Sequence, residues 1–586
     1  MDHDAFAEKL GKLLVRTGFF IAAIAATFVV TACFDAPSLP LIDDNQQYFF
    51  IASQIADGVP PYESQFEPKN ALCMLMTAVA ILVGRVVGIS DVVSARVFSI
   101  GILFGCVFFI QALCHRLTKR FWVSVLSGLL LLSFSAFSFM GLMGNRPKVF
   151  LVFFMVLALL AIASRRAKWA GMASMCAFLC WQPALLLVAI CGITSVVVPP
   201  IGQGWKRGFY KFTGGALVPF GIYILYFIVT GSFGEMLHQA FFFPSQFMSN
   251  NFKGFIGTWK FLFGLWGWGF GKYNVVPIVA GVGLLRYILH LTGTWKLPET
   301  PDGAPLFRRG GWVVFAIITA MASLFTFYDQ QGAPDLFFVL PSMAIFAALA
   351  VHFVCLELAR LGDMVSIIAH NAIPILAIIA AITLIVQGPA VLADQMKWSN
   401  SPDGTGVFYK LKDQKQAAEE LDAIYAKGHS ICSLGSTHLL GLLRQPNWTK
   451  YGLFYRGVDE HVRWETGDNF KPEIDGQWPE YVLVSRRDPE GMDAWRHLYE
   501  DVTSPTFKDQ QIVVLRRLGK LKGQEHLNAE EAEAYLETLR RKRQEEKEQA
   551  RLNSAGATKA ISESVSPGAE AEIDTNPEEV ADDGRE

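Results

Sequence analysis

Long apolar runs fill the first two thirds of the chain, and polar residues concentrate in its last third. A helix needs roughly 20 mostly apolar residues to cross a bilayer. The apolar runs predict spans at 14–34, 92–114, 121–142, 149–163, 168–182, 184–199, 209–230, 275–293, 311–328, 333–356 and 366–387. The pattern therefore predicts an α-helical polytopic membrane protein with about 11 transmembrane helices, whose membrane module covers residues 1–390.

Basic residues in the short loops predict how these spans are oriented, because cytoplasmic loops carry an excess of Lys and Arg. The N-terminal tail is basic, and so are the loops 115–120, 164–169 and 204–208 and the stretch that contains Arg308 and Arg309. All are predicted to face the cytoplasm. The N-terminus is then cytoplasmic and the C-terminal domain extracytoplasmic, and the expected location is the bacterial inner membrane.

Two further apolar segments do not fit this alternation. If 71–88 or 254–273 crossed the membrane, a neighbouring basic loop would lie outside. Both are therefore interpreted as interfacial or re-entrant helices at the outer surface, the alternative being that one spans and a basic loop is misplaced. The first outer loop then runs over 35–91 and carries a surface helix.

The polar last third predicts a separate domain. One amphipathic helical pattern closes at Gly428, and three short β-branched runs follow, HSICSLG, YVLVSRR and QIVVLRRL. They predict a small extracytoplasmic α/β domain over 405–520. Residues 527–586 are predicted to form a charged helix followed by a disordered tail, since they lack core-forming residues.

Composition narrows the chemistry. Of all residues 52% are hydrophobic and 18% are charged, compared with about 25% charged in soluble domains. The nine cysteines lie mostly inside apolar runs and show neither a disulfide framework nor zinc-ligand spacing. No zinc site and no nucleic-acid partner is expected. No cofactor is expected to be required, and a divalent metal stays a doubtful alternative.

An acidic pair, Asp43 and Asp44, follows the first predicted span. The pair precedes a short predicted helix from Gln46 to Ala56 that carries Tyr48. Neighbouring carboxylates repel and partial burial raises the pKa, so one of them could act as a general base. The other interpretation is that the pair caps the helix, where the dipole favours negative charge. Spacing alone favours the cap.

The wider pattern D-N-x-x-Y-x-x-x-A, followed by GVPPY and F-E-P-K, resembles the first outer loop of the GT-C glycosyltransferases. That superfamily includes protein O-mannosyltransferases and aminoarabinose-lipid A transferases. The resemblance implies that an acceptor displaces a sugar from a polyprenyl-phosphate carrier with inversion. The implied partners are this donor, membrane lipid, and a glycan, lipid or protein acceptor.

The resemblance also implies roles for individual residues. Asp44 matches the catalytic aspartate through its eight-residue step to Ala52, with Asp43 as the fallback. Lys69 matches a lysine that contacts the carrier phosphate. The remaining implied substrate-binding residues lie on the outer segments: Tyr48, Glu67, Arg146, Lys148 and Gln330.

Two departures from the family pattern matter. The GNRPK turn at 144–148 lacks the second acidic residue that many members have, which makes a divalent metal doubtful. Asn70 and Ala71 replace the family's prolines.

The rival interpretations are a polytopic transporter or lipid flippase, whose ionisable residues would lie near the bilayer midplane, and a non-catalytic assembly or sensor protein.

Overall fold

The computed structural model describes most of the predicted membrane module and soluble domain. It covers residues 3–247 except positions 43, 198, 200 and 201, then 275–291 and 333–400. It continues over 410–518 except positions 426, 427, 455, 456, 475 and 486–488. The described residues up to Arg517 belong to one compact unit. The predicted span 311–328, the predicted interfacial segment 254–273 and the predicted tail 527–586 lie outside the described residues.

Helices coincide with ten of the eleven predicted spans. The helices up to the soluble domain are α1 His3–Cys33, α2 Asp44–Ala56, α3 Leu72–Val86, α4 Asp91–Thr118, α5 Phe121–Leu132, α6 Ser135–Met143, α7 Pro147–Ala163, α8 Ala167–Cys180, α9 Leu185–Val197, α10 Trp205–Val229, α11 Phe233–Leu237, α12 Phe243–Phe247, α13 Val275–Leu291, α14 Leu340–Leu358 and α15 Asp363–Asn400. Five helical segments are long and apolar enough to cross a membrane, within α1, α4, α10, α15 and the helix that begins at Leu340. The chain is a multi-pass integral membrane protein, and its orientation stays a prediction.

The predicted span 121–142 is not one straight helix, because the structure divides it into α5 and α6 at an angle of 73°. The two helices together are long and apolar enough for one broken span. No glycine or proline lies at the break. Serine hydroxyls satisfy carbonyl groups there instead: Ser133 donates to the Leu130 carbonyl at 2.7 Å and Ser138 to the Leu132 carbonyl at 2.6 Å. Such internal partners allow a helix to break in an apolar environment.

Glycine allows α8 and α10 to pack with their backbones in close approach. A Cβ built on Gly215 of α10 would lie 2.0 Å from the Lys168 carbonyl oxygen, and one built on Gly171 of α8 would lie 2.1 Å from the Phe212 carbonyl oxygen. Neither overlap can be relieved by rotating a side chain, since the facing atoms are backbone. Small residues of this kind let membrane helices associate by close van der Waals contact.

The soluble part forms a mixed sheet of four strands in the order β1-β2-β4-β3. The strands are β1 Ile431–Leu434, β2 Tyr481–Ser485, β3 Tyr499–Asp501 and β4 Ile512–Arg517. Strand β1 pairs with β2 in parallel, and both remaining pairs are antiparallel. The three predicted runs are β1, β2 and β4, whereas the three-residue β3 gave no recognisable pattern. The helices of this part are α16 Leu411–Tyr425, α17 Thr437–Leu443, α18 Val458–Thr466, α19 Asp493–Arg496 and α20 Pro505–Asp509.

The soluble part packs directly on the first outer loop. The Gln414 side chain exchanges two 2.8 Å hydrogen bonds with the backbone of Leu41, 373 residues earlier. Gln46 of α2 donates to the Gly435 carbonyl at 2.8 Å. Gly441 brings α17 so close to α2 that a Cβ there would meet Phe49 at 3.2 Å. Helix α2 is therefore buried between the membrane module and the soluble part.

The close approach of α8 and α10 generates a prediction with a neighbouring control. Gly215→Ala should lower the thermal unfolding midpoint in detergent, because overpacking of this kind costs about 1–3 kcal/mol. Gly214→Ala is the control, since a Cβ at Gly214 would meet nothing within 4 Å. Alanine there should be neutral or slightly stabilising. Equal midpoints for the two variants would contradict the backbone contact.

Candidate active site

Asp44 lies in the first turn of α2, directly after the loop that follows α1. The predicted helix 46–56 is confirmed and begins two residues earlier, which puts Asp44 inside it. Tyr48, one turn further on, donates a hydrogen bond to the Asp44 carboxylate at 3.1 Å. The Asp44 side chain keeps 38% of its accessible surface. It is therefore held by protein and still open to a ligand.

Two cations contact the Asp44 carboxylate. The Arg146 guanidinium lies 3.2 Å from it and is largely buried. The Lys69 ammonium lies 3.7 Å away and also donates to the Tyr48 hydroxyl at 2.5 Å. Asn145, the residue before Arg146, ties the GNRPK turn to α2. Its side-chain amide donates a hydrogen bond to the Tyr48 carbonyl at 3.1 Å, across 97 positions of sequence. Pro147 then begins α7, a position that proline favours.

Lys69 also joins Asp44 to a second carboxylate. Glu67 is buried and lies 3.7 Å from the Lys69 ammonium. Its carboxylate accepts hydrogen bonds from the Gln47 amide at 2.8 Å and the Lys69 backbone N–H at 3.1 Å. Burial raises the pKa of Glu67 to about 7, although Lys69 opposes that rise. Glu67 is thus partly protonated near neutral pH.

Asp44 behaves in the opposite way. Burial works to raise the pKa of its carboxyl, but the positive charges of Arg146, Lys69 and Lys148 outweigh that effect. The hydrogen bond from Tyr48 acts in the same direction as the cations. The Asp44 pKa lies well below its usual range, so the group is ionised in this state of the protein.

The third cation, Lys148, has a partner that the sequence analysis did not single out. Its ammonium forms an ion pair with the buried carboxylate of Asp335 and lies 4.5 Å from the centre of the Trp181 ring. Asp335 belongs to a short 3-10 turn, Ala333–Phe338, that precedes α14. The sequence did contain a usable signal, because Asp335 is an acidic residue shortly before the long apolar helix that begins at Leu340.

The structure brings six of the eight predicted site residues into one cluster: Asp44, Tyr48, Glu67, Lys69, Arg146 and Lys148. The other two, Asp43 and Gln330, lie outside the described residues. Within the part of the chain that the structure describes, no three His, Cys, Asp or Glu side chains are placed to share a metal ion. Metal dependence stays untested.

No protein-family model and no curated protein sequence matches the chain. Among solved structures, the GT-C glycosyltransferase ArnT from Cupriavidus metallidurans, bound to undecaprenyl phosphate, superposes with a TM-score of 0.51 at 14% identity. The match covers 86% of this chain and 98% of ArnT.

The chain has a GT-C-like fold. The Archaeoglobus fulgidus oligosaccharyltransferase gives a TM-score of 0.47 at 10% identity, over 80% of this chain and 69% of its own length. The Saccharomyces cerevisiae O-mannosyltransferase complex Pmt1-Pmt2 gives 0.30 at 16% identity, over 38% and 34%. The fold assignment rests on ArnT, and it confirms at the level of fold the resemblance seen in the first outer loop.

The raised pKa of Glu67 in this GT-C-like fold predicts a pH-dependent stability. The folded protein holds a proton on Glu67 up to about pH 7, whereas the unfolded chain releases it near the ordinary value of 4.5. Glu67 therefore makes stability fall as pH rises from about 4.5 to 7. This contribution lowers the free energy of unfolding by an amount on the order of 3 kcal/mol across that window, and Glu67→Gln should abolish it. Thermal unfolding midpoints in detergent at pH 5 and pH 7.5 measure it.

A matched control is Glu63→Gln, an exposed glutamate of the same loop. This variant should keep the wild-type difference between the two pH values. If Glu67→Gln also kept that difference, Glu67 would be ionised throughout.

Proposed function

We propose that the chain is an integral-membrane glycosyltransferase that moves a sugar from a polyprenyl-phosphate carrier to an acceptor at the extracytoplasmic face, with inversion. The observation that carries the proposal is Asp44, a half-open carboxylate held among Arg146, Lys69 and Lys148. The GT-C-like fold supports it, since the ArnT structure of that fold contains undecaprenyl phosphate.

The charge of the cluster suits an anionic carrier. Three cations face three carboxylates, Asp44, Glu67 and Asp335, and Glu67 is partly protonated near pH 7. The protonated fraction of Glu67 adds part of a positive charge to this balance, whereas burial lowers the pKa of the Lys148 ammonium and acts the other way. A phosphate placed between Arg146 and Lys69 would make the charge-assisted hydrogen bonds that are strongest for such groups.

Carrier binding also explains how a strongly ionised aspartate could serve as a base. Without a bound carrier, the positive charges of Arg146, Lys69 and Lys148 hold the pKa of Asp44 low, which makes it a weak proton acceptor. A bound phosphate would draw Arg146 and Lys69 toward itself and add a negative charge nearby. Both effects raise the pKa of Asp44, so the base would gain strength when the donor is in place.

The proposed step balances with these residues alone. The acceptor oxygen or nitrogen attacks the anomeric carbon of the sugar on the face opposite the phosphate. The bond between that carbon and the phosphate oxygen breaks, and its electron pair leaves with the polyprenyl phosphate. Asp44 accepts the acceptor's proton, while Arg146 and Lys69 stabilise the charge that develops on the departing phosphate.

The rival interpretation is a transporter or flippase, which would place ionisable groups near the bilayer midplane. In the described spans, Arg286 pairs with Glu357 at 2.7 Å, close to the C-terminal ends of α13 and α14. Arg96, in the second turn of α4, binds carbonyl groups that follow α1, including that of Pro37 at 2.8 Å. Charges at helix ends support chemistry at the membrane surface over passage through it.

The base is tested by Asp44→Asn. The amide keeps the shape of the side chain and cannot accept the proton, so transfer of radiolabelled sugar from polyprenyl-phosphate donors should fall about 100-fold or more. Asp57→Asn is the control, since Asp57 lies at the other end of α2 and pairs with Arg85. Undiminished transfer in Asp44→Asn, with both variants folded, would remove Asp44 from the mechanism.

The role of Lys148 is tested by opposing variants. Lys148→Gln removes a carrier ligand and should raise the KM for the donor about tenfold, the effect of one charge-assisted hydrogen bond. Asp335→Asn releases Lys148 from its ion pair and should lower that KM or leave it unchanged. An equal rise of KM in both variants would mean that the pair is structural and that Lys148 does not meet the carrier.

A further inference from the structure

A cleft of about 780 Å³ lies between the first outer loop and the soluble part. The volume is in the range of small-molecule sites, about 300–1,000 Å³. Gln54 of α2 lines one side, and residues between Pro446 and Gly476 line the other. Gln54 comes ten residues after Asp44, or about 15 Å along the helix. The cleft is thus separate from the carboxylate cluster and joined to it by α2.

Aromatic residues contribute to the lining of this cleft, among them the half-exposed Trp448. The Trp448 indole N–H donates to the Pro472 carbonyl at 2.8 Å, which fixes the plane of the ring. The neighbouring Asn447 side chain exchanges hydrogen bonds with both backbone groups of Ser433, at 2.7 and 3.0 Å. The ring is therefore presented on a rigid support before any ligand arrives, which reduces the entropic cost of binding.

One polar side chain of the cleft lining, and its neighbour in sequence behind the lining, have no hydrogen-bond partner in the described part of the chain. The Ser64 hydroxyl is buried and makes no hydrogen bond. The next residue, Gln65, is completely buried, and both atoms of its amide are also without a partner. Buried polar groups are nearly always hydrogen-bonded, so unsatisfied ones beside a cleft indicate a ligand or ordered water.

The two lysines that line the cleft, Lys450 and Lys471, are both close to carboxylates. Lys471 pairs with Asp468, and Lys450 lies 3.7 Å from Glu235 and 3.8 Å from Glu465.

Two carboxylates of the lining, Glu63 and Glu473, form no ion pair among the residues described here. They leave the cleft negative, which disfavours phosphorylated or acidic ligands. Carboxylate oxygens accept hydrogen bonds from hydroxyl groups, and an aromatic ring packs on the apolar face of a pyranose. Both requirements are met by a neutral, hydroxyl-rich chain.

We propose that this cleft binds a neutral oligosaccharide and that it holds the distal part of a glycan acceptor while its end reaches Asp44. The binding is independent of the proposed transferase reaction, whereas the acceptor role rests on it. Trp448 stacks on one sugar ring, and Glu63 and Glu473 accept hydrogen bonds from its hydroxyls. The acceptor class is then a glycan, and it must be long enough to reach from the cleft to Asp44 past the rise of about 15 Å between Gln54 and Asp44.

The first experiment measures binding to the full chain in nanodiscs. The probes are labelled linear pentasaccharides of glucose, mannose, galactose and N-acetylglucosamine, a phosphorylated form of each, and an uncharged peptide of similar size. At least one neutral glycan should bind, and its phosphorylated form should bind more weakly. Binding of the peptide alone, of the phosphorylated forms in preference, or of no probe would overturn the proposal.

Variants locate the site. Trp448→Ala, and separately the near-isosteric pair Glu63→Gln and Glu473→Gln, should each weaken glycan binding about tenfold, as the loss of one good contact does. The control is Trp464→Ala, which removes an exposed tryptophan of the same domain that does not line the cleft. Wild-type binding in both cleft variants would overturn the assignment, and the glutamine pair keeps the test valid if Trp448→Ala does not fold.

A last measurement separates the acceptor role from the proposed reaction. Asp44→Asn should bind the glycan as tightly as wild type while transferring no sugar. In the wild type, the bound glycan should serve as acceptor, and Trp448→Ala should raise its KM without changing the KM of the donor. Binding without transfer by wild type would contradict the transferase and leave the glycan site standing, whereas transfer to glycan with an unchanged KM in Trp448→Ala would contradict the site alone.

Discussion

The balance of charge at the N-terminal end of α2 is the constraint on which the site depends. Asp44 and Glu67 share Lys69, 3.7 Å from each, yet their pKa values move in opposite directions. Asp44 has Arg146 as a second cation and stays ionised, while Glu67 is buried with amide and N–H partners and holds its proton more tightly. Two carboxyl groups of one cluster thus favour different protonation states, Asp44 ionised and Glu67 partly protonated. Such a difference is typical of sites that transfer protons.

This charge balance requires that α2 be held firmly, and the soluble part provides much of that support. Helix α2 carries polar residues on buried faces, such as Gln46 and Ser53, which a lipid environment would not solvate. The Gly435 carbonyl accepts a hydrogen bond from Gln46 at 2.8 Å, and the Gly441 carbonyl accepts one from the Ser53 hydroxyl at 3.4 Å. Without the soluble part, several of these groups would be left unpaired, at a cost of about 1–3 kcal/mol each. The domain is therefore part of the site's framework.

Local pattern in the sequence was enough to predict most of this arrangement. The helix 46–56, ten of the spans and three strands each have a strong periodic signal, and the structure has an element at each place. The first-loop motif also identified Asp44, Tyr48 and Lys69, whose side chains contact one another in the structure. The fold class follows from such signals because apolar length and alternation decide membrane insertion.

What the sequence could not provide depends on long-range contacts. The bend between α5 and α6 has no glycine or proline that would mark it in the sequence. Hydrogen bonds from serine hydroxyls to backbone carbonyl groups accompany it, and these form only in the folded structure. The pairing of Lys148 with Asp335 joins residues 187 positions apart, so no local pattern encodes it. The pKa of Glu67 depends on burial that several distant segments create together, with Gln239 bound to its backbone N–H at 3.0 Å.

The bonds between Leu41 and Gln414 have a consequence for the order of events during synthesis. These residues are 373 positions apart, and ribosomes add about 5–20 residues per second, so Gln414 emerges roughly 20–70 s after Leu41. Throughout that interval α2 has no soluble part to cover it, and its buried glutamines must be solvated by water at the membrane surface. The carboxylate cluster can therefore reach its final geometry only after the last membrane span has been made, which makes assembly of the site a late step in the biogenesis of the protein.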